Sequence, residues 1–282
     1  MNALIRNALT NPAANNLRGA DETLLAQHDR YFSTVLADSP ALMNAAHALR
    51  FQVYCLERKF EDADEHPGGL EVDAYDAHAI QGVLFHRPTG GAMGSARLIL
   101  PVSDIEDSLP VMSLLRSSLM DLSDYVNPNQ CIEVSRFAIS KEFRRRKSDD
   151  LDAALPTRAD SYRETNLAFL SLLQFVLRES VKRKMFFWTA VMEPKFLRLL
   201  ARMGICYTPI GPMVMHHGIR QPCYCYLPDM LENARRLQPQ CWEVLTDGGV
   251  LYEELQANKG RLVLPQKKKF DVGGRPHSRL AI

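Results

Sequence analysis

Two spacings of apolar residues alternate along the chain, and their order predicts the elements. Residues 1 to 20, rich in Asn, Ala and Gly, keep no sustained period and read as a loose leader. From Asp21 to Ala37 the spacing predicts a helix: Leu24, Leu25, Phe32 and Leu36 supply part of an apolar face, and Pro40 closes it. A second helix follows Pro40, with Leu42, Leu49, Val53, Leu56 and Phe60 along one seam. Arg50 and Tyr54, four apart, share a neighbouring face. The acidic stretch from Phe60 to Asp76 is broken by Pro67, Gly68 and Gly69 and reads as a loop.

Strand patterns come next. Ala79 to His86 and Ala92 to Leu100, joined by Arg87-Pro88-Thr89-Gly90-Gly91, read as an antiparallel hairpin that Pro101 ends. A helix around Val111 to Leu119 leads to a strand at Cys131 to Ile139. The longest helix covers Arg163 to Lys182, where Leu167, Leu170, Leu173, Leu177 and Val181 recur at steps of three and four. Phe186 to Met192 suits a buried strand, Glu193 to Met203 a short helix capped by Gly204, and Ile205 to Pro209 and Tyr224 to Leu227 the last strands. This order predicts an α/β domain over residues 41 to 250, a single mixed central β-sheet with helices on both faces. Residues 1 to 40 form a leader and N-terminal helical extension, and residues 251 to 282 a C-terminal extension whose basic tail from Gln266 is expected to be mobile.

Composition narrows the class. With 46% apolar residues and a net charge of +1, the chain can bury a core and shows no bias toward nucleic acid or anionic membranes. No apolar run approaches the roughly 20 residues of a membrane span; Leu167 to Leu177 is interrupted by Ser171 and Gln174. The first residues lack a continuous apolar signal core, so a cytoplasmic location is expected. Cys55, Cys131, Cys206, Cys223, Cys225 and Cys241 are too scattered for a disulfide framework and read as reduced thiols.

The chemistry is carried by charges in apolar surroundings. Glu71, Asp73 and Asp76 fall within the run GLEVDAYD, while Arg50, Arg97 and Arg136 occupy positions where the pattern wants apolar residues, the last beside Glu133. Such charges are either surface ion pairs on edge strands or a network lining a pocket, since an unpaired buried charge is costly. In a regular strand Glu133 and Arg136 would point to opposite faces, so a bulge between Glu133 and Phe137 is expected if both serve one pocket.

The ladder RFQVYCLERKF, EVDAYD, GSARLILP and EVSRFAIS resembles the motif series of acyl-homoserine-lactone synthases over most of residues 45 to 140. From Leu49 to Thr246 the chain is more similar still to the acyltransferases associated with PEP-CTERM and exosortase sorting systems, through RFQVYCLE, GLEVDAYD, ARLILP, EVSRFAISKEFRRR, AVMEP, LLARMGI and YTPIGP. These families, with the N-acyl amino acid synthases, look like GNAT-fold enzymes. The resemblance implies a single GNAT-like domain and an N-acyltransferase that moves a fatty acyl group from a carrier thioester to the amine of an amino acid or similar small acceptor. It implies Glu71, Asp73, Asp76, Arg97, Glu133 and Arg136 as catalytic, with Glu71 the base through a water, and Arg50, Tyr54 and Phe60 as substrate contacts. It also implies Phe137, Ala138 and Ile139 on a strand that splays from its neighbour to receive the pantetheine arm.

No cofactor is expected to be permanently bound; acyl-ACP or acyl-CoA is the co-substrate. KEFRRRKSDDLDAALP lacks the glycines of a pyrophosphate loop and carries Arg144, Arg145 and Arg146 between Lys141 and Lys147. That cluster is either a solvated loop or a dock for the acidic acyl carrier protein, which the resemblance favours. Leu170, Phe175, Phe186, Phe187, Trp188 and Met192 are either core or the wall of an acyl tunnel. His216-His217 with Cys223 and Cys225 lacks paired zinc spacing, and Glu61, Asp62, Asp64 and Glu65 lack an EF-hand's glycine, so no metal is expected. A lactone-releasing synthase using S-adenosylmethionine and a non-catalytic acyl- or carrier-binding module are the competing readings.

Overall fold

The computed structural model describes residues 22–141, 158–216 and 218–262, with side chains from residue 166 in the second segment. The leader, the run Arg144, Arg145 and Arg146, His217 and the tail from Gln266 lie outside the described residues. Eight strands form one sheet in the order β1-β2-β3-β4-β5-β8-β6, with β7 paired to β8. The strands are β1 (Phe32–Leu36), β2 (Ala79–His86), β3 (Gly91–Ile99), β4 (Cys131–Ile139), β5 (Phe187–Met192), β6 (Thr208–Pro209), β7 (Val214–Met215) and β8 (Ile219–Tyr226). Only β4 and β5 run parallel; every other pairing is antiparallel.

Helices cover both faces. On one, α2 (Pro40–Arg50) lies over β2, β3 and β4, where Ala46 and Leu49 close a small cluster with Val83 and Phe85. On the other, α4 (Arg158–Lys182) crosses β1 to β4 and carries the main core, from Leu167 through Phe175 to Val181. Between β3 and β4 runs α3 (Pro110–Arg116), and α5 (Pro194–Arg202) follows β5 and ends at Gly204 in the left-handed region. The C-terminal helices α6 (Leu227–Leu237), α7 (Pro239–Thr246) and α8 (Val250–Asn258) pack on α4 or one another and bring Leu251 and Leu255 into the core, so this part of the C-terminal extension is ordered helix. No helix among the described residues is long and apolar enough to cross a membrane.

Two expected helices are corrected. The first, α1, covers Leu24–Tyr31 only; Phe32 to Leu36 is the edge strand β1, not a continuation of the helix. Phe32, Thr34 and Leu36 fit a two-residue alternation as well as a helical step, and pairing with β2 decides between them, with Thr34 Oγ1 bonded to Ser171 Oγ at 2.9 Å. The second helix widens after Arg50 into a π-helical segment, Phe51–Glu57, where Arg58 N–H donates to the carbonyl of Val53, five residues back. The wider turn takes Leu56 off the expected seam and leaves it half exposed, while Val53 stays buried.

Gly82 of β2 lies close against α4. A Cβ there would stand 2.4 Å from the buried ring of Phe175. Gly82→Ala is therefore expected to lower stability by about 1–3 kcal/mol, measured as the urea midpoint against the unaltered chain.

Candidate active site

The loop after the π-helical segment delivers the carboxylates. Asp73 caps the turn Ala74–His78, and Asp76 returns its side chain to the Asp73 N–H at 2.8 Å, a reciprocal capping box. Local structure thus fixes two carboxylates of GLEVDAYD before any partner arrives. Arg50 reaches down from α2 and forks onto Asp76, at 2.6 Å and 3.0 Å, while its Nε donates to Glu71. Arg97, from β3, forks onto Asp73 at 2.6 Å and 2.9 Å and donates to Asp76 at 3.0 Å and to Ser135 Oγ at 3.0 Å. Arg136 donates to Glu71 through Nε at 3.1 Å and Nη2 at 3.0 Å, and to Glu61 at 2.8 Å.

This is a closed network, not a row of surface ion pairs. Arg50 is fully buried, and Arg97 and Glu71 are each 1% exposed. The guanidiniums hold Glu71, Asp73 and Asp76 below the usual carboxylate range against the desolvation that opposes them.

Arg136 joins the network through backbone irregularity, at the place where it is expected. Between the pairs Ser95↔Ala138 and Arg97↔Ser135, Ala96 of β3 faces two residues of β4, Arg136 and Phe137, and Arg136 adopts φ 45°. The bulge turns Arg136 toward the face that carries Glu133 and Ser135. Beyond Glu133 the sheet opens: β4 pairs with β5 only from Cys131 to Glu133, although both strands continue. The gap is a cavity of about 630 Å³ with Val134 to Ile139 on one wall and Ala190 to Met192 on the other. Phe137, Ala138 and Ile139 thus lie along the splayed edge, where Tyr54 O–H donates to the carbonyl of Phe137 at 3.2 Å. Tyr54 also lies under Arg136, 5.1 Å from ring centre to guanidinium carbon, and beside Phe60.

Glu133 differs from the other carboxylates. It is buried, lines the cavity, and accepts one hydrogen bond, from the Val111 N–H at 2.7 Å. Among the described residues no guanidinium is bonded to it, and desolvation raises its pKa to about 8. Glu71, the base expected from the sequence, has both oxygens held by arginines and does not line the cavity. Its carboxylate joins Arg50 to Arg136.

Several cavity residues escaped the sequence reading. Its apolar wall is formed by Phe169, Leu173, Phe196 and Leu200, whereas Leu170, Phe175, Phe186, Phe187 and Trp188 are core; of the tunnel residues expected, Met192 alone lines it. Helical spacing marks an apolar face but not which of its residues borders a void. Glu61, noted only within an acidic run, pairs with Arg136, and Arg58, Glu193 and Arg220 border the same cavity. No group of metal-ligating side chains occurs among the described residues.

Residues 49–152, which hold the network from Arg50 to Arg136 and the bulge, match the family model described as acetyltransferase (GNAT) domain. No curated protein matches the chain. Among solved structures, the CoA-dependent acyl-homoserine lactone synthase BjaI, with SAM and isopentyl-CoA, is similar over 77% of this chain and 88% of its own, at 18% identity and TM-score 0.50. The AHL synthase LasI is similar over 70% and 90%, at 18% identity and TM-score 0.47. FeeM, an N-acyl amino acid synthase from uncultured soil microbes, is similar over 72% and 93%, at 15% identity and TM-score 0.42. The fold is thus a mixed α/β sheet of the GNAT-like synthase kind.

Removing one member of the network strands its partners. Asp76→Asn is expected to cost about 3–5 kcal/mol, read by urea unfolding at pH 7. Because the Asp76 pKa is lower folded than unfolded, its contribution is present above the ordinary carboxylate pKa and lost as pH falls. The substituted chain should therefore show a flatter acid limb in a stability–pH series.

Proposed function

We propose that the protein is an N-acyltransferase that moves a fatty acyl group from a pantetheine thioester to the amine of a small acceptor such as an amino acid. The observation that carries this reading is Glu133, a buried carboxylate with a pKa near 8, placed where β4 leaves β5 and the sheet opens into an apolar-walled cavity. The GNAT match over residues 49–152 supports the same class.

The chemistry follows from the site. A neutral amine attacks the thioester carbonyl, a C–N bond forms, the C–S bond breaks, and the amine loses a proton. Ionised Glu133 takes that proton and returns it to the departing thiolate, so the products are an amide and a free thiol. A base with a pKa near ambient pH suits this exchange; Glu71, Asp73 and Asp76, held ionised by arginines, do not. Their task is to hold Arg97 and Arg136 along the polar wall, with Tyr54 and Phe60 at its aromatic side. The edge from Phe137 to Ile139 lies along the donor's pantetheine arm, and Phe169, Leu173 and Phe196 along the acyl chain. Acyl-ACP is the proposed donor, supported by the basic run from Lys141 to Lys147, and the motif likeness supports kinship with the PEP-CTERM/exosortase acyltransferases as part of the same proposal.

Glu133→Gln tests the assignment. Thiol release from acyl-ACP or acyl-CoA with an amine acceptor is expected to fall about a hundredfold or more. With a weakly basic amine, already neutral at pH 6, the unaltered enzyme should still gain rate through about pH 8, and the substituted one should not. Stability gives an independent reading. The folded pKa is raised from the ordinary 4.5, so the contribution of Glu133 is full below 4.5 and lost as pH rises to about 8. Glu133→Gln should remove that alkaline decline.

A further inference from the structure

The cavity has a second charged end, on the hairpin of β7 and β8. Arg220 lines it, with its side chain 12% exposed and its guanidinium carbon 5.8 Å from the centre of the Phe60 ring. Its ion pair is a single contact, Nη1 to Glu193 Oε1 at 3.0 Å, with a carboxylate whose side chain is 48% exposed. The buried arginines differ: Arg50 and Arg97 are forked onto aspartates, and Arg136 is shared by Glu61, Glu71 and Asp73. A guanidinium held in place by an aromatic ring, with one exchangeable carboxylate, is poised to take a planar anion in two-point fashion.

We propose that Arg220 is the specificity-determining residue for a carboxylate carried by the acceptor, and that Glu193 occupies the carboxylate's place until the acceptor arrives. This deepens the acyltransferase reading and rests on it for the word acceptor. Register supports the placement. Glu133 pairs with Thr189 and Gln221 with Met192, so Arg220, one residue beyond Gln221, stands about 13 Å along β5 from the base, a gap that an extended arginine side chain narrows. An acceptor that presents its amine to Glu133 and its carboxylate to Arg220 lies along the wall built by Arg136, Tyr54 and Phe60, whose rings and guanidiniums are stacked in that order toward Arg220. Arg58 also lines the cavity and has no carboxylate partner among the described residues; it is exposed and rests on no ring there, so it lacks the fixed orientation of Arg220.

The test separates binding from turnover. N-dodecanoyl-L-tyrosine and N-dodecanoylglycine, each beside its methyl ester, are titrated calorimetrically into the full chain and its Arg220→Met, Glu193→Gln and Arg58→Met forms. The unaltered chain should prefer each acid over its ester by about tenfold. Arg220→Met should erase that preference while leaving ester affinity in place, and Glu193→Gln should strengthen acid binding by removing the internal competitor. Equal affinity for acid and ester in the unaltered chain would overturn the proposal. So would a preference that survives in Arg220→Met, or one erased by Arg58→Met instead. Should Arg220→Met fail to fold, Glu193→Gln decides: unchanged or weaker acid binding counts against the proposal. Thiol release measured in parallel with L-tyrosine and tyramine distinguishes the two readings. An acid preference governed by Arg220 in a chain that releases no thiol would retain the anion site and remove the acyltransferase assignment.

Discussion

The structure depends on the complete burial of the Arg50 guanidinium. A charge at that depth is tolerated only if it is paired, and the chain pairs it through Nε, Nη1 and Nη2 with Glu71 and Asp76, both from the one loop that follows the helix. That requirement fixes the loop, and the loop fixes the rest. Its two aspartates cap one another's turn and both accept from Arg97, while the second oxygen of Glu71 receives Arg136 from β4. A helix, a loop and two strands are thus tied by charge at the place where the sheet is about to open. Apolar packing alone would not specify that arrangement, because the cluster beneath α2 is small.

Burial opposes the ionisation of every carboxylate in the site, and the partners decide the outcome. Glu71, Asp73 and Asp76 are desolvated but held by guanidiniums, and the pairing wins; Glu133 is desolvated with only a peptide N–H and a more distant Arg97, and desolvation wins. Carboxylates within one site are in this way divided between groups held ionised and one whose pKa is raised to about 8. The division is a matter of partners rather than residue type. Nothing in GLEVDAYD tells which carboxylate receives an arginine on each oxygen.

Much of the fold was legible because its strands carry unambiguous patterns. β2 and β4 occupy the predicted residues, Ala79–His86 and Cys131–Ile139. Charges inside those patterns pointed to the network, and the clash between a two-residue strand period and the spacing of Glu133 and Arg136 pointed to the bulge. What stayed hidden depends on contacts distant in sequence. Phe32 to Leu36 satisfies two periods, and only the neighbouring strand chooses; Leu56 lies on the right seam for an α-helix but not for the π-helical turn after Arg50. The cavity wall was misjudged because it is made by the separation of β4 from β5, and Phe169 and Leu173 acquire their role from that gap rather than from their place in the helical repeat.

The bulge brings these constraints together. Arg136 is held at φ 45°, a region that costs a side-chain-bearing residue on the order of 1–2 kcal/mol, and its neighbour Phe137 gives up a regular place in the ladder with β3. A regular strand would avoid that cost but would turn the guanidinium to the opposite face, leaving Glu71 with one arginine and Tyr54 without a cation over its ring. The ion pairs and the stacked ring offset the strain, and they do so only if the loop is already in place to receive the side chain. Backbone irregularity, charge network and cavity are therefore one feature: the turn that carries Arg136 into the network sits on the stretch of β4 that has already left β5, and it borders the opening that Glu133 lines.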